Sequence, residues 1–309
     1  MTIEEEPLKR VGYFIDALAH HVTPYALKAR HAAQVLAIPL DAEAEARVAY
    51  YAKPSIQATK ELHQHLGDIS YKDGSLYAID FFRAAKGFGN EFAFNALFGD
   101  ITEIPKVPTF VKSRPVHGAN ENAVLLPLNR LRHFRFPDDP IPWAEKRPSA
   151  VWRGRIHSPD RMALIKAFHD HPRHDIGAVQ ARKGAPPQKD WLRYADQMRH
   201  RYVLSLEGFD VATNLKWAMC SNSLVLSPRL KYETWFMEGQ LIPGVHFAEI
   251  APDGADLDDV VAHFEANPDA AQQIIANAHA WVDKFRDPRR ERMLAIHVVA
   301  RYRRLTTGQ

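Results

Sequence analysis

Between Ser149 and Phe285 the apolar period of the chain changes repeatedly, and no other feature restricts the possible folds as much. Short runs that read as strands (SAVWRG, DIGAVQA, YVLSLE, SLVLSP and GVHFAEI) are separated by segments with helical spacing. Those segments are SPDRMALIKAFHDHP, DWLRYADQMRHR, TNLKWAMCS, ADLDDVVAHFEAN and PDAAQQIIANAHAWVDKF. Strands alternating with helices predict an α/β fold whose mainly parallel sheet is covered on both faces. Sheets of this kind bind ligands beyond the carboxyl ends of their strands, beside helix N-termini.

The first half reads differently. RVGYFIDALAHHV, YALKARHAAQVL and AEAEARVAYYAK place apolar residues at helical spacing, and SLYAIDFFRAAK reads as a strand running into a turn or helix. Eight of the 21 prolines lie between Pro105 and Pro148, which suggests an extended connection. The expected organisation is therefore a domain over 1–148, an α/β domain over 149–286 and a basic helix over 287–309 that packs back. With 309 residues, 46% hydrophobic and 25% charged, the chain has the composition of a soluble globular protein. No run approaches the ~18 apolar residues of a membrane span, and the start MTIEEEPLKR has no apolar signal core. A single cysteine, Cys220, excludes an internal disulfide framework and fits a reducing compartment. A net charge of +3 is too small for the footprint of a nucleic-acid binder.

Two strand-to-helix turns carry residues suited to an anion. In WRGRIHSPDR, Arg153 leaves the strand, Gly154 turns the chain and Ser158 caps a helix with Pro159 at its first position. Arg161 in the first turn opposes the helix dipole. It is understandable if an anion sits there, or if it pairs with Asp160 or Asp196. In LEGFDVATNLKWAMCSNSLVLSP, Gly208 allows a bend, Thr213 could cap a helix and Lys216 could point from its first turn toward a diphosphate. An ordinary capped helix is the alternative, since neither GxxxxGK[ST] nor a strand-linked GxGxxG occurs. Glu233 and Glu238 could accept from ribose hydroxyls or stand at a solvated helix start. Asp100, after the apolar run FAFNALF, could be a general base or a turn residue. Three clusters read as non-functional: DLD (256–258) opens a helix where Asp is favoured, HDHPRH (169–174) lacks ligand spacing, and His20-His21 lies on an amphipathic helix.

In order and spacing, WRGRIHSPDR, LEGFDVATNLKWAMCSNSLVLSP and ETWFMEGQLIPGVHF resemble glycosyl transferase family 90. FGDITEIPKVPTFVKSRP and LNRLRHF resemble its bacterial lipopolysaccharide branch, related to capsule-associated transferases and protein O-glucosyltransferases. The resemblance spans roughly residues 95–285. It implies a GT-B fold, two Rossmann-like domains facing across a cleft, here with a helical N-terminal segment. It implies inverting, metal-free transfer from a UDP-sugar, with no other cofactor.

By the same resemblance Asp100 is the catalytic residue. Arg153, Gly154, Ser158, Arg161, Gly208, Thr213, Lys216 and Glu233 bind the UDP-sugar. Two positions depart from the family: Asn214 stands where animal members have an arginine, and Ile156 replaces the second arginine of RGSR, with Arg155 adjacent. The expected acceptor is a lipopolysaccharide or other envelope glycan, free or lipid-linked, at the inner face of the cytoplasmic membrane. The segments RLRHFRF and RYRRL could favour peripheral contact with anionic lipid, or be plain surface charge. The alternatives are a protein O-glycosyltransferase sharing the donor residues and a non-catalytic UDP-sugar-binding protein.

Overall fold

A computed structural model describes residues 7–69 and 76–308. The fold is α/β with parallel sheets, and Cα packing divides it into two units. The first comprises His133–Lys231 and Glu238–Arg286; the second holds Glu6–Arg132, Tyr232–Met237 and Asp287–Gln309.

The first unit is built on five strands: β1 (Arg147–Gly154), β2 (Asp175–Ala178), β3 (His200–Leu204), β4 (Leu224–Ser227) and β5 (Ala248–Glu249). They lie in the order β5-β4-β3-β1-β2, and every neighbouring pair is parallel. The register sets Val225 beside Val203 and Val203 beside Val151. These valines are buried, and so are the alternating Trp152, Leu204, Leu224 and Leu226, so both faces of the sheet are covered. The latter set packs in one core with Ile165 of helix Pro159–Phe168, Val261 of helix Leu257–Ala266 and Ile275 of helix Pro268–Asp283. The first of these helices starts as the sequence predicts: the Ser158 hydroxyl accepts from Arg161 N at 3.2 Å, and Pro159 opens the first turn.

Elsewhere in this unit tertiary packing overrides local pattern. The helix expected over DWLRYADQMRHR is one turn, Tyr194–Gln197, and that expected over TNLKWAMCS is Leu215–Ala218. GVHFAEI contributes two residues of strand, at the edge of the sheet.

The second unit is largely helical: Pro7–Val22, Tyr25–Leu36, Ala42–Tyr51, Leu76–Ala85 and Pro288–Thr307. SLYAIDFFRAAK is helical from Leu76 rather than a strand, and its residues 80–85 are all buried. A helix buried on nearly every side shows no 3.6-residue alternation to betray it. The proline-rich stretch carries three short strands of this unit. Thr109–Val111 and Ala123–Leu125 join Ala96–Leu97 in a parallel sheet, and Ser113–Pro115 pairs antiparallel with Tyr232–Thr234. Phe81, Phe94, Phe110 and Tyr302 form an aromatic centre, with Phe110 and Tyr302 rings 4.1 Å apart. The C-terminal helix is tied in by Glu291, which accepts both guanidinium nitrogens of Arg47 at 2.8 Å. Among the described residues no helix is long and apolar enough to cross a membrane.

His200 links this packing to pH. It is buried at the start of β3 with Ser149 Oγ 2.8 Å from Nδ1. Burial, reinforced by Arg147, lowers its pKa from 6.5 to about 4. The unfolded chain therefore binds a proton that the folded one refuses. The associated stability is complete above about pH 6.5 and is lost as pH falls toward 4. At pH 5 the loss is roughly 2 kcal/mol. Urea unfolding at pH 7.5 and 5.0 is expected to show a loss of at least that size in wild type, since His20 is shifted in the same way, and a loss smaller by roughly 2 kcal/mol in His200→Gln. Equal pH dependence in both would contradict it.

Candidate active site

The strand order 2-1-3-4-5 reverses direction between β1 and β3. At such a switch point the loops leaving the two strands diverge and open a crevice at their carboxyl ends. Here those loops are residues 155–158 and 205–210. Arg161 joins them. Its Nη1 donates to Arg155 O at 2.7 Å, its Nη2 to Leu206 O, and its guanidinium lies 5.3 Å from the Trp152 ring centre. It pairs with neither Asp160 nor Asp196, because two backbone carbonyls take its donors. Burial lowers its pKa to about 10, with Glu207 opposing. It remains a cation at neutral pH beneath the crevice.

Two buried polar atoms at this place have no hydrogen-bond partner among the described residues, Arg161 Nε and Ser205 Oγ. A buried donor without a partner is costly; eight other buried side-chain atoms among the described residues share this state, and these two are set apart by their position at the carboxyl ends of the strands. At the mouth, the His157 and Phe209 rings lie 4.4 Å apart, and Phe209 is exposed. Arg155 is exposed beside them.

The two glycines of the crevice differ. A Cβ on Gly154 would lie 2.5 Å from the Trp152 ring, so the indole folds over the strand end only because no side chain is there. At Gly208 the nearest atoms, on Arg161 and His157, would be 3.5 Å away, an ordinary contact. Gly208 therefore has room for a Cβ.

The other expected donor residues hold walls. Arg153 donates Nε to Asp190 O at 2.9 Å, Nη1 to Asp175 O at 2.8 Å and Nη2 to the Asp175 carboxylate at 2.7 Å. Lys216 is buried, and its ammonium lies 2.6 Å from the equally buried Glu238 carboxylate. The expected cap at Thr213 is not made: Asn214 is the N-cap residue of the single turn, without a side-chain capping bond. Its amide instead donates to Leu204 O at 2.8 Å, fastening the turn to the end of β3. Glu233 is neither at a strand end nor at a solvated helix start. It lies within the strand Tyr232–Thr234 of the second unit, buried, with Arg114 Nε at 2.7 Å and the Tyr50 hydroxyl as a further donor.

Asp100 also belongs to the second unit. Gly99 before it has φ 140°, which favours glycine. Asp100 Oδ1 accepts from Lys112 Nζ at 2.5 Å and Tyr77 OH at 3.1 Å, and Arg132 lies 3.9 Å from Oδ2. Burial pushes the carboxyl up, but the Lys112 ammonium and Arg132 outweigh it and hold it below the usual carboxylate range. The carboxylate is thus ionised at neutral pH, anchored through one oxygen and more open at the other. Lys112 and Tyr77 are missed by sequence reasoning. The one available hint is a lysine in the middle of the buried run TFVKS.

Two clusters set aside from sequence converge. His171, His174 and Asp258 place their ligand atoms within 4.8 Å of one another, at the amino-terminal edge of β2. Backbone N–H groups donate to both Nδ1 atoms, from Ala150 to His174 and from Arg173 and His174 to His171. Each neutral ring therefore carries its proton on Nε2, facing Asp258 at 3.0 and 3.3 Å. The arrangement is a hydrogen-bonded clasp, since a metal on those nitrogens would require rings with no proton left.

The family model for glycosyl transferase family 90 matches residues 129–307, more than half of the chain. The chain is 45% identical over 229 residues to O-glucosyltransferase LpsA of Dichelobacter nodosus, covering 74% of this chain and 72% of that protein. This chain belongs to glycosyl transferase family 90. As a family 90 member it is a glycosyltransferase. It is also 28% identical over 150 residues to human protein O-glucosyltransferase 1, spanning 38% of that protein. With the O-glucosyltransferase rumi of Drosophila melanogaster it shares 24% identity over 152 residues, 37% of that protein's length. The matched family segment contains the whole switch-point crevice and begins after Asp100.

Gly154→Ala is expected to destabilise the chain by roughly 1–3 kcal/mol through the Trp152 ring, whereas Gly208→Ala should stay within about 0.5 kcal/mol of wild type. Urea midpoints of the two variants check this. The reverse ranking would show that the crevice is packed differently.

Proposed function

We propose that this chain is an inverting, metal-independent glycosyltransferase of GT-B type that moves a sugar from a UDP-sugar to a hydroxyl of a lipopolysaccharide or other envelope glycan. Its similarity to O-glucosyltransferases favours glucose as that sugar. The observation that carries the reading is the switch point between β1 and β3, with the buried Arg161, whose Nε is unpartnered, and the unpartnered Ser205 hydroxyl. The donor diphosphate lies across Gly154, Ser158 and Gly208, close to Arg161, with Arg155 reaching it from the rim. Arg153, Thr213 and Lys216 support this bed, and Glu233 acts through its own buried ion pair.

Transfer is a single displacement. The acceptor oxygen attacks the anomeric carbon, Asp100 takes its proton through Oδ2, and UDP leaves with the bonding pair. Lys112 and Tyr77 hold Oδ1, so the carboxylate is oriented before the acceptor arrives. Fixed positive charge and backbone N–H groups at the crevice stabilise the diphosphate as it departs, and no metal is needed. The acceptor is reached from the cytoplasmic side, free or lipid-linked. The similarity to protein O-glucosyltransferase 1 supports a second reading, transfer to a protein hydroxyl by the same donor site.

Asp100→Asn is expected to lower turnover by about 10²–10⁴-fold while UDP binding survives. A variant with near wild-type turnover would remove Asp100 from the base role. In thermal-shift measurements with EDTA present, UDP should raise the midpoint by a few degrees, whereas GDP, ADP and CMP should not. A shift that requires metal, or none with UDP, would remove the donor assignment.

A further inference from the structure

Helices Ala42–Tyr51 and Pro288–Thr307 of the second unit line a cavity of about 510 Å³. That volume falls in the ~300–1,000 Å³ range of small-molecule sites. Residues 45, 48 and 49 share one face of the first helix, and residues 297, 300, 301 and 304 share one face of the second. Small side chains, Ala49 from one helix and Ala300 from the other, leave the space, and Val48 and Leu40 give it an apolar wall. Glu45, His297, Arg301 and Arg304 make the rest of the lining polar.

Charge on the second helix is matched elsewhere. Arg290 pairs with Asp41 and Glu43, Glu291 with Arg47, and Arg292 with Asp16. Arg301 and Arg304 differ. Among the described residues neither is in ion-pair contact with a carboxylate, although Glu45 lines the same cavity. Arg301 Nε donates to Ala52 O at 2.7 Å, which fixes the guanidinium and leaves its two Nη groups without a bond among the described residues. Burial, with the neighbouring Arg304 cation, lowers the Arg301 pKa. A buried acceptor adds to this pair. The His297 ring is bonded to the Val35 backbone, and since that bond opposes the pKa-lowering effect of burial, the ring donates and the Val35 carbonyl accepts. His297 Nε2 is buried and has no partner among the described residues. The donor is therefore Nδ1, and the neutral ring keeps a bare lone pair on Nε2.

We infer that this cavity binds a phosphorylated sugar, with the phosphate on Arg301 and Arg304, a sugar hydroxyl on Glu45 and the apolar side of the ring against Leu40 and Val48. Each part of the ligand answers one observation. Two neighbouring guanidiniums without a counter-ion suit a group of more than one negative charge, and their planar forks match phosphate oxygens. Nε2 of His297 needs a donor, which a sugar hydroxyl or the remaining proton of a phosphate monoester supplies. Glu45 repels a bare anion but accepts from a hydroxyl, so the ligand carries hydroxyls as well as charge. The site shares no residue with the switch-point crevice or with the Asp100 cluster, and the inference stands whatever the donor and acceptor are. A free sugar phosphate and a phosphorylated residue of a glycan share this chemistry.

The test is calorimetric titration of the full chain with glucose 6-phosphate, glucose and inorganic phosphate, each with and without saturating UDP. Glucose 6-phosphate is expected to bind in both conditions, at least about tenfold more tightly than glucose or inorganic phosphate, because it alone engages both walls. Arg304→Gln removes an exposed side chain, so its melting midpoint and its response to UDP should match wild type. Its affinity for glucose 6-phosphate should fall at least about tenfold. Glu45→Ala should also weaken glucose 6-phosphate, yet bind inorganic phosphate at least as tightly as wild type, since a like charge leaves. A phosphorylated oligosaccharide from an envelope glycan, before and after phosphatase treatment, separates the sources. Tighter binding than glucose 6-phosphate that phosphatase abolishes assigns a glycan residue, and weaker binding assigns a free sugar phosphate. Four results would each overturn the inference: no binding of glucose 6-phosphate, binding that UDP abolishes, equal affinity in Arg304→Gln, or glucose or inorganic phosphate binding as tightly as glucose 6-phosphate.

Discussion

The bond from Arg161 to the carbonyls of Arg155 and Leu206 is the constraint on which the crevice depends. Parallel strands β1 and β3 are neighbours in the sheet, but their outgoing loops turn apart, and backbone carbonyls at their ends would otherwise face a buried gap. A planar fork with several donors can bridge both at once, whereas a lysine would meet one at a time. The Ser158 cap fixes the backbone at Arg161, so a local helix-start signal sets the aim of a side chain that ties two distant loops. The cost is a cation held under an apolar sheet edge. The Trp152 ring face is its other neighbour, and its Nε has no partner among the described residues.

What could be read from the chain in advance follows from the range of each interaction. The strands SAVWRG, YVLSLE and SLVLSP and the Ser158-Pro159 start depend on residues a few positions apart, and the structure has them where the pattern places them. The roles of Lys216 and Glu233 depend on partners 22 and 119 positions away, Glu238 and Arg114. No local period announces such a partner, so a buried lysine reads as an exposed one. The same holds for Lys112 and Tyr77 around Asp100. The helix expected over 213–221 shortens for a different reason: its apolar residues at helical spacing are buried around a single turn, Leu215–Ala218, that Asn214 fastens to β3.

The two units also differ in how they use polarity. In the first, a parallel sheet buries both faces and leaves the candidate-site groups at one edge, with the His171–His174–Asp258 clasp at the other. In the second, helices and short strands are joined by buried ion pairs, Arg47 with Glu291 and Arg114 with Glu233. Such pairs add little net stability but penalise misassembly, because separating either strands a buried charge. Helix Pro7–Val22 belongs to the same style of construction: it is held by tyrosine, aspartate and arginine contacts.

The central claim, that the donor lies at the carboxyl ends of β1 and β3, is tested most directly by hydrogen exchange read by mass spectrometry with and without saturating UDP. Peptides covering residues 154–162 and 204–210 should exchange at least about tenfold more slowly with UDP, because bound ligand suppresses local opening there. Protection confined to other segments, such as 169–174 with 256–263, or unchanged exchange under conditions where UDP is known to be bound, would contradict the account.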